Sequence, residues 1–212
     1  MKIEEIKVKN TGYVHCYSNF YTSKDNLEEG LEYHFSVGVN KMNGEIDSGV
    51  WAISYLLSMY KYRPNDFILF EDSNVSINDD KVMSLDCLSQ YSCYMDRYYP
   101  LFTSKKPVNK LIEKGIHDNK LDYLPGEIKE LFMITTERYN QPLNAVGNEI
   151  FKAMAAIAYC NGKEVFCFPW LSESRFNYYH SNMTFVLDTL GSLKKIVILP
   201  VSRHVSDCSN IL

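Results

Sequence analysis

The sequence predicts an α/β protein: a mostly parallel sheet wrapped by helices, an antiparallel layer near the N-terminus, and a helical subdomain in the middle. Three observations predict it. A β-like run over residues 33–39 passes through a glycine-bearing loop, Gly44 to Gly49, into a helical run that begins at Val50. The last third alternates helix, strand, helix, strand. The block between them, residues 84–145, carries helical stretches and no strand-like alternation.

The elements follow in order. Residues 1–10 set Ile3, Ile6 and Val8 against Lys7 and Lys9, which reads as an early strand. Residues 11–30 are polar and aromatic, a connection or hairpin. Residues 31–39 form a second strand leading into the glycine loop. Residues 50–60 are apolar nearly throughout, as in a largely buried helix. Pro64-Asn65-Asp66 marks a turn, residues 67–70 a short strand, and Asn78-Asp79-Asp80 the turn of a hairpin returning through Val82. Pro107 fits the first turn of a helix. Pro125-Gly126 reads as a breaker before a helix over residues 127–135. The helix over residues 147–160 is rich in alanine, which lets it pack close to a sheet, and Asn161-Gly162 ends it through a left-handed residue. Residues 164–168 are nearly continuous apolar, as in a central parallel strand. Residues 169–174 form a loop, residues 174–190 a helix ending at Gly191, and residues 195–199 a second buried strand, expected beside the first.

The chain has 212 residues, 46 % apolar and 23 % charged, which predicts one domain over residues 1–212 with one substantial core. The net charge of -4 and the lack of a long basic block argue against a nucleic-acid partner. No apolar run reaches the roughly 18 residues of a membrane span. The charged first residues lack a signal-peptide core, so a cytoplasmic location is expected. The six cysteines contain no C-x-x-C pair and the five histidines are scattered, so neither a disulfide framework nor a metal site is expected.

Between Gly44 and Trp51 the glycines keep the spacing of the phosphate loop, G-x-x-x-x-G-K-[ST]. Val50 stands at the lysine position and Trp51 at the position of the magnesium-binding hydroxyl. A lysine offsets phosphate charge and the hydroxyl holds the metal. Val50 and Trp51 do neither, and Glu45 and Asp47 would repel phosphate. Two readings stand for the glycines: a backbone path for phosphate, or a turn after a strand. Trp51 either fills the vacant phosphate site or packs in the core beside it.

The order of elements resembles the ATP-binding subunit of an ABC transporter over almost the whole chain, on a P-loop NTPase-like fold. Gly44 and Gly49 match its loop glycines. Ala145-Val146-Gly147-Asn148-Glu149 matches its signature L-S-G-G-Q, keeping Gly147 as the first of the paired glycines, with Val146 at the serine. Phe166-Cys167-Phe168 resembles its Walker B strand, but Pro169 and Trp170 stand where the aspartate and glutamate should follow. Pro200 and Val201 replace the threonine and switch histidine. Gln90 and Asp96 are both candidates for the Q-loop position, Asp96 nearer the expected distance.

The resemblance implies Gly44, Ser48, Gly49, Val50 and Trp51 as the nucleotide-contacting positions and makes ATP and magnesium the candidate cofactors, while the side chains of Val50 and Trp51 leave the cofactor unassigned. No residue is assigned as catalytic or as a metal ligand. Glu173 is either an early-helix acid or a relocated catalytic base, and His204 either a surface residue or a displaced switch. The main reading is a catalytically inactive ABC ATPase-like protein, a partner or regulatory subunit of a transporter-type assembly. The alternative is an active ATP-binding subunit with displaced catalytic residues; an unrelated α/β binding protein is the third. The partners implied are a second copy of the chain or an ABC-type ATPase, with a membrane-transporter subunit through which the chain would reach the membrane.

Overall fold

A computed structural model describes residues 1–9, 16–18, 21–23, 32–44, 50–59, 74–78 and 81–205. The expected turn at Pro64 and strand at residues 67–70 lie outside these.

Among the described residues the strands form three sheets. Strands β1 (Glu5–Lys9), β4 (Glu32–Ser36), β6 (Asn74–Ile77) and β7 (Lys81–Val82) form an antiparallel sheet in the order β4-β1-β6-β7. Strands β5 (Gly38–Asn43), β8 (Ser92–Tyr94), β9 (Val165–Cys167) and β10 (Ile196–Val201) form a parallel sheet in the order β5-β10-β9-β8. Strands β2 (Cys16–Ser18) and β3 (Tyr21–Ser23) pair antiparallel with each other. The expected neighbours β9 and β10 do lie parallel and adjacent, Ile196 opposite Val165 and Ile198 opposite Cys167.

The single strand expected over residues 31–39 is two strands in two sheets. The chain changes sheet at Val37 and Gly38. The Val37 N–H donates to the Glu4 carbonyl at 3.1 Å, and the Gly38 N–H donates to the Lys195 carbonyl at 2.9 Å. Gly38 makes the step at φ +105°, a region that a side chain would disfavour. Asn40 ties the corner: its Oδ1 accepts from the Ser36 N–H at 3.0 Å, and its Nδ2 donates to the carbonyls of Ser36, Gly38 and Val197. The strand that delivers Gly44 is therefore β5.

Side chains of β9 and β10 alternate between two cores, as a strand's period of two requires. Phe166, Val197 and Leu199 face the core built by α3 (Val108–Asn119), α6 (Ile150–Cys160) and α8 (His180–Ser192). Val165, Cys167, Ile196 and Ile198 face the core shared by the antiparallel sheet and α1 (Val50–Met59). Both faces are covered, which explains why these strands read as unbroken apolar runs. In α6, Ala153, Ala155, Ala156 and Ala158 are fully buried, and Gly162 at φ +71° follows the helix end, as expected.

Within residues 84–145, α2 (Leu85–Tyr91) leads into β8, the outer strand of the parallel sheet. The helices α3, α4 (Pro125–Leu131) and α5 (Thr136–Tyr139) follow. Pro107 caps α3 from outside its first turn. Pro125 opens α4 where a break was expected, because a proline at the first helical position loses no hydrogen bond. The helix expected to run to residue 135 ends at Leu131, and Met133 at φ 45° separates it from α5. The helix expected over residues 174–190 is two, α7 (Glu173–Tyr178) and α8, divided at Tyr179.

Candidate functional site

The site lies at the C-terminal ends of the parallel strands, where open α/β sheets place ligands. Gly44 follows β5 and is buried. Its N–H donates to the Val201 carbonyl at 3.0 Å, which ties the start of the glycine loop to the end of β10. Its carbonyl accepts from the indole Nε1–H of Trp170 at 2.9 Å. Trp170 occupies the second acid position after the Walker B strand. Residues 45–49, among them Ser48 and Gly49, lie outside the described residues.

α1 begins at Val50. Trp51 is half-buried, packed against the α1 core, with its ring edge-to-face on Tyr55 at 6.2 Å between centroids. Tyr55 meets Tyr94 in the same way at 5.4 Å. An aromatic file thus runs from the start of α1 to β8. Burial pushes the Tyr94 phenol upward, and the Asp96 carboxylate and Tyr55 add to that, against the cation of Arg175. Asp96 follows β8 and is half-buried, its Oδ1 accepting from the Tyr98 N–H at 3.0 Å. Gln90 is exposed in α2, before β8, and its carbonyl accepts from Lys163 Nζ at 2.7 Å. Asp96 is therefore the residue that follows the β8 strand.

Two prolines shape the strand ends. The Ile196 N–H donates to the Glu164 carbonyl, and in this register the Phe168 carbonyl falls to Pro200, which has no N–H. Ser54 of α1 supplies the missing donor: its Oγ reaches the Phe168 carbonyl at 2.5 Å. Pairing resumes past Pro169 and Trp170, where the Leu171 N–H donates to the Pro200 carbonyl at 3.0 Å. Cys167 lies beneath this junction. Burial pushes its thiol up to about 12, against the pull of the Ser58 and Ser54 hydroxyls.

The structure brings Gly44, Trp170 and Val201 into contact and links Trp51 through Tyr55 to Tyr94. It leaves the other candidates outside that group. Glu173 is exposed in the first turn of α7, behind the Ser172 cap, where a carboxylate is favoured by the helix dipole. His204 is exposed, its N–H 3.4 Å from Ser202 Oγ. At the signature position Val146 is fully buried, and Gly147 turns the chain at φ +61° into α6. Arg138 Nη1 donates to the Ala145 carbonyl at 3.1 Å, and Glu149 Oε2 accepts from the Thr135 N–H at 3.0 Å, which fastens that turn to the helical lobe.

Sequence reasoning missed the Trp170–Gly44 bond and the role of Ser54. The second had a signal: Ser54 and Ser58 stand one helical turn apart in an otherwise apolar run, a spacing that puts two hydroxyls on one buried face. Chemically, the side chains of Trp51, Pro169 and Trp170 provide no oxygen to a metal ion, and the Trp170 indole is a donor only.

No known protein family's sequence profile matches the chain, and no curated protein matches it. Solved structures do. A protein from Pyrococcus furiosus described as an ABC transporter ATP-binding protein superposes with a TM-score of 0.64 at 12 % identity, over 96 % of this chain and 94 % of that one. CbiO1 from Clostridium perfringens, part of the ABC transporter complex CbiONQ, matches with a TM-score of 0.58 at 10 % identity, over 96 % of this chain and 79 % of that one. A bacterial Atm1-family ABC exporter solved with ATP bound matches at 0.56 and 13 % identity, over 95 % of this chain and 35 % of that one. No helix among the described residues is long and apolar enough to cross a membrane. The architecture of this chain, parallel sheet, antiparallel layer and helical lobe together, is the fold of the ABC transporter ATP-binding domains.

Proposed function

We propose that the chain is a non-hydrolysing ABC ATPase-like subunit, one domain over residues 1–212 with a helical subdomain within residues 84–145, that works through a partner in a transporter-type assembly. The Trp170–Gly44 hydrogen bond carries this reading. In the fold's general scheme a carboxylate at the end of the Walker B strand positions water, and the phosphate loop presents free backbone donors. Here an indole takes the carboxylate's place and spans to the first glycine of the loop. Trp51 replaces the metal-binding hydroxyl and Pro169 the metal-binding acid, so magnesium has no side-chain oxygen at either position. These residues do not fit a magnesium–triphosphate group, although the fold as a class uses one.

Such a chain retains what a partner recognises, its shape, while a second, catalytically complete ATPase or a second copy supplies contacts that nucleotide would otherwise mediate. A transporter's membrane subunit is the assembly it fits. Titration calorimetry with ATP and ADP in magnesium, run beside a phosphate-release assay, tests the reading. The expected result is no release above background. A robust rate that disappears in Glu173→Ala would establish the alternative, an active subunit with a relocated base.

A further inference from the structure

We propose that the groove between α4 and the α8–β10 turn is a docking site for a basic amphipathic helix of a partner protein. The groove is lined by Tyr123, Leu124, Gly126, Glu127, Glu130, Leu131 and Leu193. Leu124, which precedes α4, is 69 % exposed and Tyr123 is 38 % exposed. One exposed leucine is ordinary. Here the exposed Tyr123 and Leu124 adjoin the half-buried Leu131 and Leu193 in one depression, and contiguous accessible apolar surface marks interaction sites.

Gly126 leaves bare backbone in this depression: a Cβ built there would meet nothing within 4 Å. The groove therefore has room for a partner's side chain. Tyr123 also packs on Tyr159 in the last turn of α6, with ring centroids 6.1 Å apart. That places the groove at the end of α6 away from Gly147, so the inference does not depend on nucleotide chemistry.

Charge chooses the occupant. Both charged residues of the lining are acids. Glu127 is held at the rim because its Oε2 accepts from the Leu124 N–H at 2.7 Å. Glu130 meets Lys129 at 3.1 Å in a pair whose glutamate side chain is 78 % exposed. Such exposed pairs are weak, so a lysine or arginine from a partner can displace Lys129. The lining comes from a helix and from turns, which suits a helix laid in a groove, with apolar residues one turn apart as anchors.

The probe is a labelled synthetic peptide of about 14 residues, roughly four turns, with leucines on one helical face and lysines beside them. Fluorescence anisotropy with the full chain should show saturable binding. Replacing the lysines by glutamates should weaken it about tenfold, and Glu130→Lys should do the same to the lysine peptide. Gly126→Tyr fills the groove where space is open, so the fold is retained, as circular dichroism would confirm, and binding should fall about tenfold or more. Equal binding of both peptides, binding unaffected by Gly126→Tyr, or no saturable binding would each overturn the proposal. Self-association of the chain that Gly126→Tyr abolishes would also overturn it, by making the occupant a second copy.

Discussion

Ser54 shows how much one hydroxyl can hold in place at the end of a strand. It is fully buried, and it gives the Phe168 carbonyl the hydrogen bond that Pro200 cannot give. Ser54→Ala should leave that carbonyl unpaired in the core and cost about 1–3 kcal/mol, reduced slightly by alanine's better helix propensity. Ser58 is the control. Its hydroxyl donates to the Ser54 carbonyl at 2.8 Å, an acceptor already within α1, so Ser58→Ala should cost less than about 1 kcal/mol. Urea melts of the two variants check this; equal midpoints would remove the role given to Ser54. The residue types at Val50, Trp51, Pro169 and Trp170 were legible in the sequence as mismatches to the motif of the family the chain resembles. The Trp170–Gly44 bond was not, because 126 residues separate its partners and only the fold brings them together.

Among elements, α1 and α6 were legible because long apolar or alanine-rich runs leave no competing pattern. The division of residues 31–39 was not. Tyr33 through Val39 reads as one strand, since nothing local says that Val37 and Gly38 bond to different sheets. The break at Tyr179 was hidden for a related reason: Phe176 and Met183 are both buried, so the apolar spacing carries across it. A second glycine matters at this scale. Gly115 lets α3 lie against the end of α6, and a Cβ there would come within 2.9 Å of the Cys160 backbone. Asn119 bridges the same contact, donating to the carbonyls of Gly115 and Cys160 at 3.0 Å. Gly115→Ala should force α3 outward and destabilise by about 1–3 kcal/mol, despite alanine's helix preference. Thermal unfolding checks it; an unchanged or raised midpoint would show that α3 can shift at little cost.

For the whole molecule, the parallel sheet is buried between two cores and positions the site at its strand ends. ABC-type domains meet through their phosphate-loop and signature faces, with nucleotide between them. Here Val146 lies in the core and Trp170 binds back to its own chain, so neither offers itself to a nucleotide held by a neighbour. Any pairing should therefore rest on protein contacts. Sedimentation velocity is expected to give the same species with and without Mg-ATP: a homodimer in both, or a hetero-complex once an ABC-type partner is added. A dimer seen only with ATP would sink the non-hydrolysing reading. Monomer throughout, with no complex on adding a partner, would remove the assembly itself. The order of elements made this architecture legible, because helix–strand alternation admits few sheet topologies. The lobe was harder, since α4 and α5, seven and four residues long, are too short to show a period.

The chain contains two tryptophans, Trp51 and Trp170, and both stand at the strand-end site. Indole emission from the native protein consequently originates there and nowhere else. One of these chromophores is hydrogen-bonded to a main-chain oxygen and the other lies edge-on to a phenol ring. Opening of the Gly44 contact would hydrate the first and shift its emission to the red, while displacement of α1 would alter the second. Replacing one tryptophan at a time by phenylalanine separates the two signals. The two indoles thus give the molecule a built-in optical reporter of its strand-end site, readable without any attached dye.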